Sequence, residues 1–230
     1  MMNVLRIWDL PTRAFHWILV ASVLGLVVSG NVGETWMVWH ARLGYLVISL
    51  LVFRLIWGFA GGHWSRFTQF PLGLSQVWGY LRGKPLQPHY LGHPPTGAWS
   101  VVGILLLLTL QAVSGLFSTD DIFFQGPLSG WASSESVEVL SRFHRGPGKL
   151  MILAWVLLHV LAIVWYARFK RERLLPAMLH GNKSVQHSNE PISVDSSWRR
   201  VVALLLWLMI LALVFWGLST LEAMKSYSAF

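Results

Sequence analysis

Four histidines, His16, His40, His144 and His159, carry the chemistry that this chain could do. His159 lies deep inside an apolar run that ends at Tyr166, and His144 stands at the mouth of the same run. An imidazole inside a membrane-length apolar segment is expensive to bury, so it is a functional-site candidate by default. The two are fifteen residues apart. On an α-helix that is roughly 22 Å along the axis and within roughly 60° around it. They share one broad face at two depths. Two stacked haems, each taking one ligand from this helix, need that arrangement. The rest of the chain must then supply one more histidine at each depth.

The elements that would position them are membrane helices. Of 230 residues, 54% are hydrophobic and only 12% charged, about half the charged share of a soluble domain. Five apolar runs, about 14–30, 39–59, 99–117, 146–167 and 198–219, are each long enough to cross a bilayer core of roughly 30 Å. Fourteen tryptophans and 20 glycines suit interfacial belts and close helix packing. Arg6 and Arg13 before the first run and Ser29-Gly30 after it also fit a signal peptide. Cleavage there would discard His16 and leave the other spans unexplained. The absence of cysteine excludes disulfides, thiolate metal sites, cysteine-bound iron–sulfur clusters and covalently attached haem. A net charge of +8 reflects loop topology rather than nucleic-acid binding.

Alternation of the five spans puts the N-terminus and the 60–97 and 168–197 loops on one side, with 13 of the 18 Lys and Arg. The positive-inside rule makes that side cytoplasmic and the C-terminus periplasmic, in a bacterial inner membrane. Depth then sorts the histidines into an inner pair, His16 with His159, and an outer pair, His40 with His144. Two imidazoles from different helices of a bundle hold a b-type haem in this way, with no open coordination position. Arg13, Arg42 and Arg54 lie near a proposed ligand or a membrane boundary, and guanidinium suits the haem propionates. Arg145 reads as headgroup contact or topology control. Glycines 25, 30, 44 and 58 permit close approach of a helix or a porphyrin.

Outside the spans, Leu74, Val77, Trp78 and Leu81 recur at helical spacing and suggest a short surface helix. Ser134-Glu135 opens a helical pattern that Pro147 would kink or break. His63, His89, His93, His180 and His187 read as solvated loop histidines. Asp120-Asp121 reads as a solvated acidic loop, with a docking patch as the sharper alternative. No phosphate-binding glycine loop, serine elbow or internal repeat is evident.

The stretch Trp8-Asp9-Leu10-Pro11-Thr12-Arg13-Ala14-Phe15-His16-Trp17 resembles the opening of the bacterial cytochrome b561 family, which includes the cytochrome b subunit of nickel–iron hydrogenases. His40-Ala-Arg-Leu-Gly44 and Arg54-Leu-Ile-Trp-Gly58 resemble its second helix. Gly92-His93-Pro94, Gln111-Ala-Val-Ser-Gly115 and Thr119-Asp-Asp-Ile-Phe-Phe124 are similar to its third helix and outer loop. The resemblance covers residues 1 to about 180. It implies an all-α integral membrane protein, a four-helix bundle with two b haems, one ligand each from spans one and two and two from span four. This chain departs from it twice. Its span-four histidines are fifteen rather than fourteen apart, with Gly146-Pro147-Gly148 between, and a kink or one-residue bulge would absorb the extra residue. It also adds a fifth, histidine-free span, so residues 181–230 are expected to be a cytoplasmic linker plus a packing or partner helix.

The expected function is transmembrane electron transfer between the quinone pool and an outer-side partner, either a cytochrome c or a dehydrogenase subunit. No catalytic residue is assigned. The family resemblance places a quinone near the inner haem. Two rivals remain. One is a superoxide:quinone oxidoreductase using a positive outer surface of Arg42, Arg142, Arg145 and Lys149; against it stand Asp120, Asp121, Glu135 and Glu138, which would repel an anion. The other is a haem-free membrane scaffold or transporter.

Overall fold

A computed structural model describes residues 3–83, 91–120, 122, 124–185 and 191–227. His89, His187 and Asp121 lie outside them. The elements run β1 (Asn3–Arg6), α1 (Leu10–Val32), α2 (Met37–Ala60), α3 (Leu74–Leu81), α4 (Pro95–Phe117), α5 (Ser134–Phe143), α6 (Lys149–Phe169), α7 (Leu174–His180), β2 (Asn182–Val185) and α8 (Ser197–Tyr227). Five helical stretches are long and apolar enough to span a membrane: α1, α2, α4, the continuous Ser134–Phe169 and α8. They carry many exposed large apolar side chains, such as Leu24, Leu157 and Leu158. Lipid, unlike water, accommodates that surface at no cost. The expected spans are all present, and each is somewhat longer than its apolar run.

The helix ends follow local chemistry. Asp9 precedes α1 and its Oδ1 accepts the Thr12 N–H at 2.9 Å, the usual task of an N-terminal capping carboxylate. Pro11 and Pro95 sit in the first turns of α1 and α4, where a missing N–H costs nothing. Ser133 caps α5 by accepting the Ser136 N–H. Gly181 ends α7 at φ 85°, a left-handed conformation that glycine adopts without strain.

Of the kink, break or one-residue bulge expected around Pro147, the structure has the bulge. A π turn over His144–Gly148 joins α5 to α6, with Pro147 inside it. Proline has no N–H to offer the ladder, so a locally widened turn gives up little there. A π turn holds one residue more than the α-helical turns around it, which takes up the fifteenth residue.

The chain divides into two compact units. The first comprises Met1–His16, Arg54–Ile104 and Val156–Leu204. Its core is Ile7, Trp8, Trp64 and Ala177, flanked by Leu5, Leu91 and Met178. Strand β1 pairs antiparallel with β2, Leu5 opposite Lys183 and Arg6 opposite Asn182. Residues 168–197, read as a loop, thus contribute a helix and a strand. The Gly181 carbonyl accepts the Ile7 and Trp8 N–H groups at 2.8 and 3.1 Å. The pairing puts residues 3–6 and 182–185 on one side, as four intervening spans require. Asp195 binds both Arg6 and Arg200. Burial works against its charge, yet hydrogen bonds from the two guanidiniums hold its carboxyl below the usual range.

Asp9 anchors this unit. It is 1% exposed. Besides the Thr12 N–H it accepts Trp57 Nε1 at 3.1 Å and the Gly62 N–H at 2.6 Å. Asp9→Ala strands three buried donors, each costing about 1–3 kcal/mol. The variant should therefore lose about 3 kcal/mol or more, read as a lower thermal midpoint of the purified protein, with Asp9→Asn between it and the parent. An unchanged midpoint would mean that the cap is dispensable.

The second unit comprises Trp17–Phe53, Leu105–Trp155 and Leu205–Phe230. Its buried apolar side chains include Tyr45, Leu50, Leu107, Leu108, Ile152 and Ile210. The Tyr45 hydroxyl donates to Glu222 on α8, and its ring meets Phe215 edge-on at 5.5 Å. The α4–α5 connection is tied down by Asp120, whose Oδ1 accepts the Ile122 and Phe124 N–H groups at 3.1 and 2.6 Å. Asp120 is a turn-forming side chain there, not a loose solvated one.

Candidate functional site: two opposed histidine pairs

In the first unit His16, two turns into α1, faces His159 of α6 with ring centres 6.4 Å apart. In the second unit His40, in the first turn of α2, faces His144 of the π turn at 6.0 Å. A metal–imidazole bond is about 2 Å long, and a ring centre lies about 1.1 Å behind its nitrogen. Two imidazoles on one iron therefore have centres about 6.2 Å apart. Both pairs fit an iron held between them. Among the described residues no group of three or more His, Cys, Asp or Glu side chains is placed to hold a bare metal ion. Two opposed imidazoles suffice only when a macrocycle supplies the remaining four ligands, and that is what b-type haem does.

The His40–His144 pair has a symmetric support. The His40 Nδ1 lies 3.1 Å from the Leu26 carbonyl, and the His144 Nδ1 lies 2.9 Å from the Gln111 carbonyl. A carbonyl can only accept, so each Nδ1 carries the proton. Each Nε2 is then the basic, metal-binding nitrogen. Ser29 and Ser114 hydroxyls approach the same two Nδ1 atoms at 3.2 and 3.4 Å. Gly30 and Gly115 come next in sequence. A Cβ at Gly30 would lie 2.9 Å from His40 Cε1, and one at Gly115 would lie 2.7 Å from His144 Cε1. The two supports are the segments Leu26-Val-Val-Ser29-Gly30 and Gln111-Ala-Val-Ser114-Gly115. Each offers a carbonyl, a hydroxyl and a missing side chain to a histidine from another helix. Neither Ser29 and Ser114 nor the Gln111 carbonyl is identifiable from the sequence as a support of the two histidines. The detectable signal was the Val-Ser-Gly tripeptide shared by spans one and three. Aligning those two spans with each other would have found it.

Between these elements lies a cavity of about 420 Å³, lined by both histidines, Gly30, Gly115, Arg145 and Lys149 among others. Arg145, read as headgroup contact or topology control, is also a wall residue. Lys149 Nζ lies 3.5 Å from Asn31 Oδ1.

The three arginines expected beside propionates fare differently. Arg13 donates to the Leu179 carbonyl at 2.6 Å, and its buried Nε has no hydrogen-bond partner among the described residues. Arg42 lies over the Trp39 ring at 5.1 Å. Arg54 is 3% exposed and donates to the Ser65 carbonyl at 3.0 Å. Of the glycines, a Cβ at Gly58 would lie 2.1 Å from the Phe67 ring and one at Gly25 2.8 Å from Leu43, so these two serve packing; Gly44 lines the cavity.

His180 is exposed, as expected for a loop histidine. His63 packs edge-on to Trp64 at 4.9 Å. His93 is corrected. It is not solvated but packed against Trp8 at 4.7 Å and Phe70 at 4.9 Å. Burial first, then the Arg54 cation, push its imidazole down to about 3, so it is neutral.

A family model described as prokaryotic cytochrome b561 matches residues 7–181. Among curated proteins, the chain is similar to a probable Ni/Fe-hydrogenase B-type cytochrome subunit of Bradyrhizobium diazoefficiens. That match is 24% identical over 213 positions and covers 77% of this chain and 85% of the relative. A protein of the same description from Rhizobium leguminosarum bv. viciae is 22% identical over 213 positions, covering 77% and 87%. The family match includes all four histidines and ends before α8.

Proposed function

The chain belongs to the prokaryotic cytochrome b561 family and is a multi-pass membrane b-type cytochrome of electron transfer, and on that premise we propose that it carries two haems. His16 and His159 hold one, and His40 and His144 hold the other. The observation that carries this reading is the pair of imidazole spacings, 6.4 and 6.0 Å, drawn from three of the family-matched helices and the π turn. Residues 1–180 are then the cofactor-binding domain, and residues 181–230 a linker with the added helix. A bound b haem supplies a one-electron couple at its iron.

The residues do the rest. A haem held by two imidazoles would have no open coordination position for substrate, which favours electron transfer over catalysis. The carbonyl bonds fix the ring orientation and basicity of His40 and His144. The walls of the cavity are mostly apolar, with Arg145 and Lys149 among them. With the N-terminus cytoplasmic by the charge rule, in a bacterial inner membrane, the His16–His159 pair lies toward the cytoplasm and the His40–His144 pair toward the outside. Electrons then pass between the quinone pool and an outer-side partner. The relatives' names favour a dehydrogenase subunit of hydrogenase type over a cytochrome c.

A haem assay on the purified membrane protein, with a reduced-minus-oxidised spectrum, tests this reading. Two low-spin b haems per chain are expected. One haem would remove a pair from the scheme, and none would overturn it. Quinol added to oxidised protein in vesicles should reduce the haem signal, and failure to do so would remove the quinone from the scheme.

A further inference from the structure

Arg54 is a buried cation with no ion pair among the described residues. It lies six residues before the end of α2 and is 3% exposed. A guanidinium has five N–H donors. Its hydrogen bond to the Ser65 carbonyl uses one nitrogen, and the group stacks on the Phe67 ring at 4.6 Å. Asp9 is close enough for its charge to act on Arg54. Both Asp9 oxygens are already taken, however, by the Thr12, Trp57 and Gly62 donors. No ion pair to Arg54 exists among the described residues. A buried charge with no partner costs several kcal/mol, on the order of the desolvation penalty of one ion.

His93 shows the same deficit. Its Nδ1 is buried and has no hydrogen-bond partner among the described residues. The two groups border one run of rings: Arg54 on Phe67, Phe67 edge-on to Phe70 at 5.4 Å, and Phe70 edge-on to His93 at 4.9 Å. Both belong to the unit that contains His16 and His159. A buried guanidinium with donors beyond the one bonded to Ser65 and a buried, unpaired imidazole nitrogen make a site for a carboxylate. A mobile anion would have to shed its water to enter. A carboxylate tethered to a cofactor already held next door would not.

We propose that Arg54 and His93 together form a carboxylate pocket beside the His16–His159 pair, and that a propionate of the haem held by that pair occupies it. The proposal rests on the two-haem reading. It gives His93 a positioning role that its place in a loop does not suggest. A buried cation at this place stabilises the reduced iron, which carries one positive charge fewer. Removing the cation should therefore lower the midpoint potential of this haem alone.

The test is a spectroscopic redox titration of the full-length purified protein, in which the His40–His144 haem reports that the variant is folded. Arg54→Gln should lower the midpoint of the His16–His159 haem by at least 59 mV, a tenfold change in the one-electron equilibrium. Arg54→Lys should restore most of the shift. His93→Phe should move the midpoint in the same direction by less, and His93→Asn should recover part of it. Loss of that one haem in Arg54→Gln, reversed by Arg54→Lys, supports the proposal equally. Unshifted midpoints in both Arg54→Gln and His93→Phe would overturn it. So would a parent midpoint that follows added inorganic phosphate at constant ionic strength, which would mark a pocket for a free anion. A parent protein lacking this haem would instead refute the two-haem reading beneath it.

Discussion

His16→Ala and His159→Ala are each expected to purify with one haem instead of two, and the same haem is missing from both. The rings of these two residues stand 6.4 Å apart on α1 and α6, the span of one bis-imidazole iron. Neither ligand can hold the cofactor without the other. His40→Ala and His144→Ala should remove the complementary haem, because those rings oppose each other at 6.0 Å within the other unit. The measurement is haem per polypeptide together with the α-band of each single-haem variant. The four spectra should fall into two superimposable sets. If His16→Ala and His159→Ala leave spectrally different haems behind, the pairing is wrong. If His144→Ala retains both haems, the fourth ligand lies elsewhere.

The second large effect concerns residues with no chemistry of their own. Gly30→Val and Gly115→Val should each empty the His40–His144 site while leaving the other haem in place. A single Cβ at either position would already stand 2.9 or 2.7 Å from a histidine Cε1. The imidazole would have to retreat from the carbonyl that orients it. Disturbing the partner that orients a metal-bound histidine typically costs about 10–100-fold in affinity, and here the ring itself is displaced as well. Gly217→Val is the control, since a Cβ there meets nothing within 4 Å. Retention of both haems in Gly30→Val and Gly115→Val would show that the supports are incidental packing. Ser29→Ala and Ser114→Ala remove only a hydroxyl at 3.2 and 3.4 Å, and a smaller loss is expected of them.

The spans, and the facing of His16 with His159 and of His40 with His144, were legible because lipid imposes length and cost on every residue. A run of about twenty apolar residues fits little besides a membrane helix, and an imidazole within it draws attention. The π turn was half legible. The count of fifteen between His144 and His159 and the intervening Gly-Pro-Gly asked for a bulge or a break, and geometry chose the bulge. The Asn3–Arg6 strand was not legible, because four residues paired with a polar segment carry no periodicity. His93 was misread for a related reason. Nothing adjacent to it is apolar enough to announce burial, and its neighbours Trp8 and Phe70 arrive from distant parts of the chain. Gly30 was noticed as a small residue. Its role depends on a carbonyl four residues earlier, an atom every residue possesses and no sequence displays. Membership of a cytochrome family displaces the haem-free scaffold. The pairing of Arg142 with Glu138 removes one cation from the positive surface that a superoxide reaction would need.

The pairing of β1 with β2 also sets an order of events during synthesis. Residue 3 finds its partner only when residue 185 has been made. At about 5–20 residues per second that is roughly 10–35 s later. Until then the Ile7 and Trp8 N–H groups lack the Gly181 carbonyl that will hold them, and the first helix stands in the membrane without its clasp. His159 also emerges late, some seven-tenths of the way along the chain. The His16 compartment is therefore latched from the far end of the polypeptide, after four of the five spans exist. A ribosome stalled before residue 182 would leave an inserted protein whose N-terminal segment is still open to proteases, and a completed one would not.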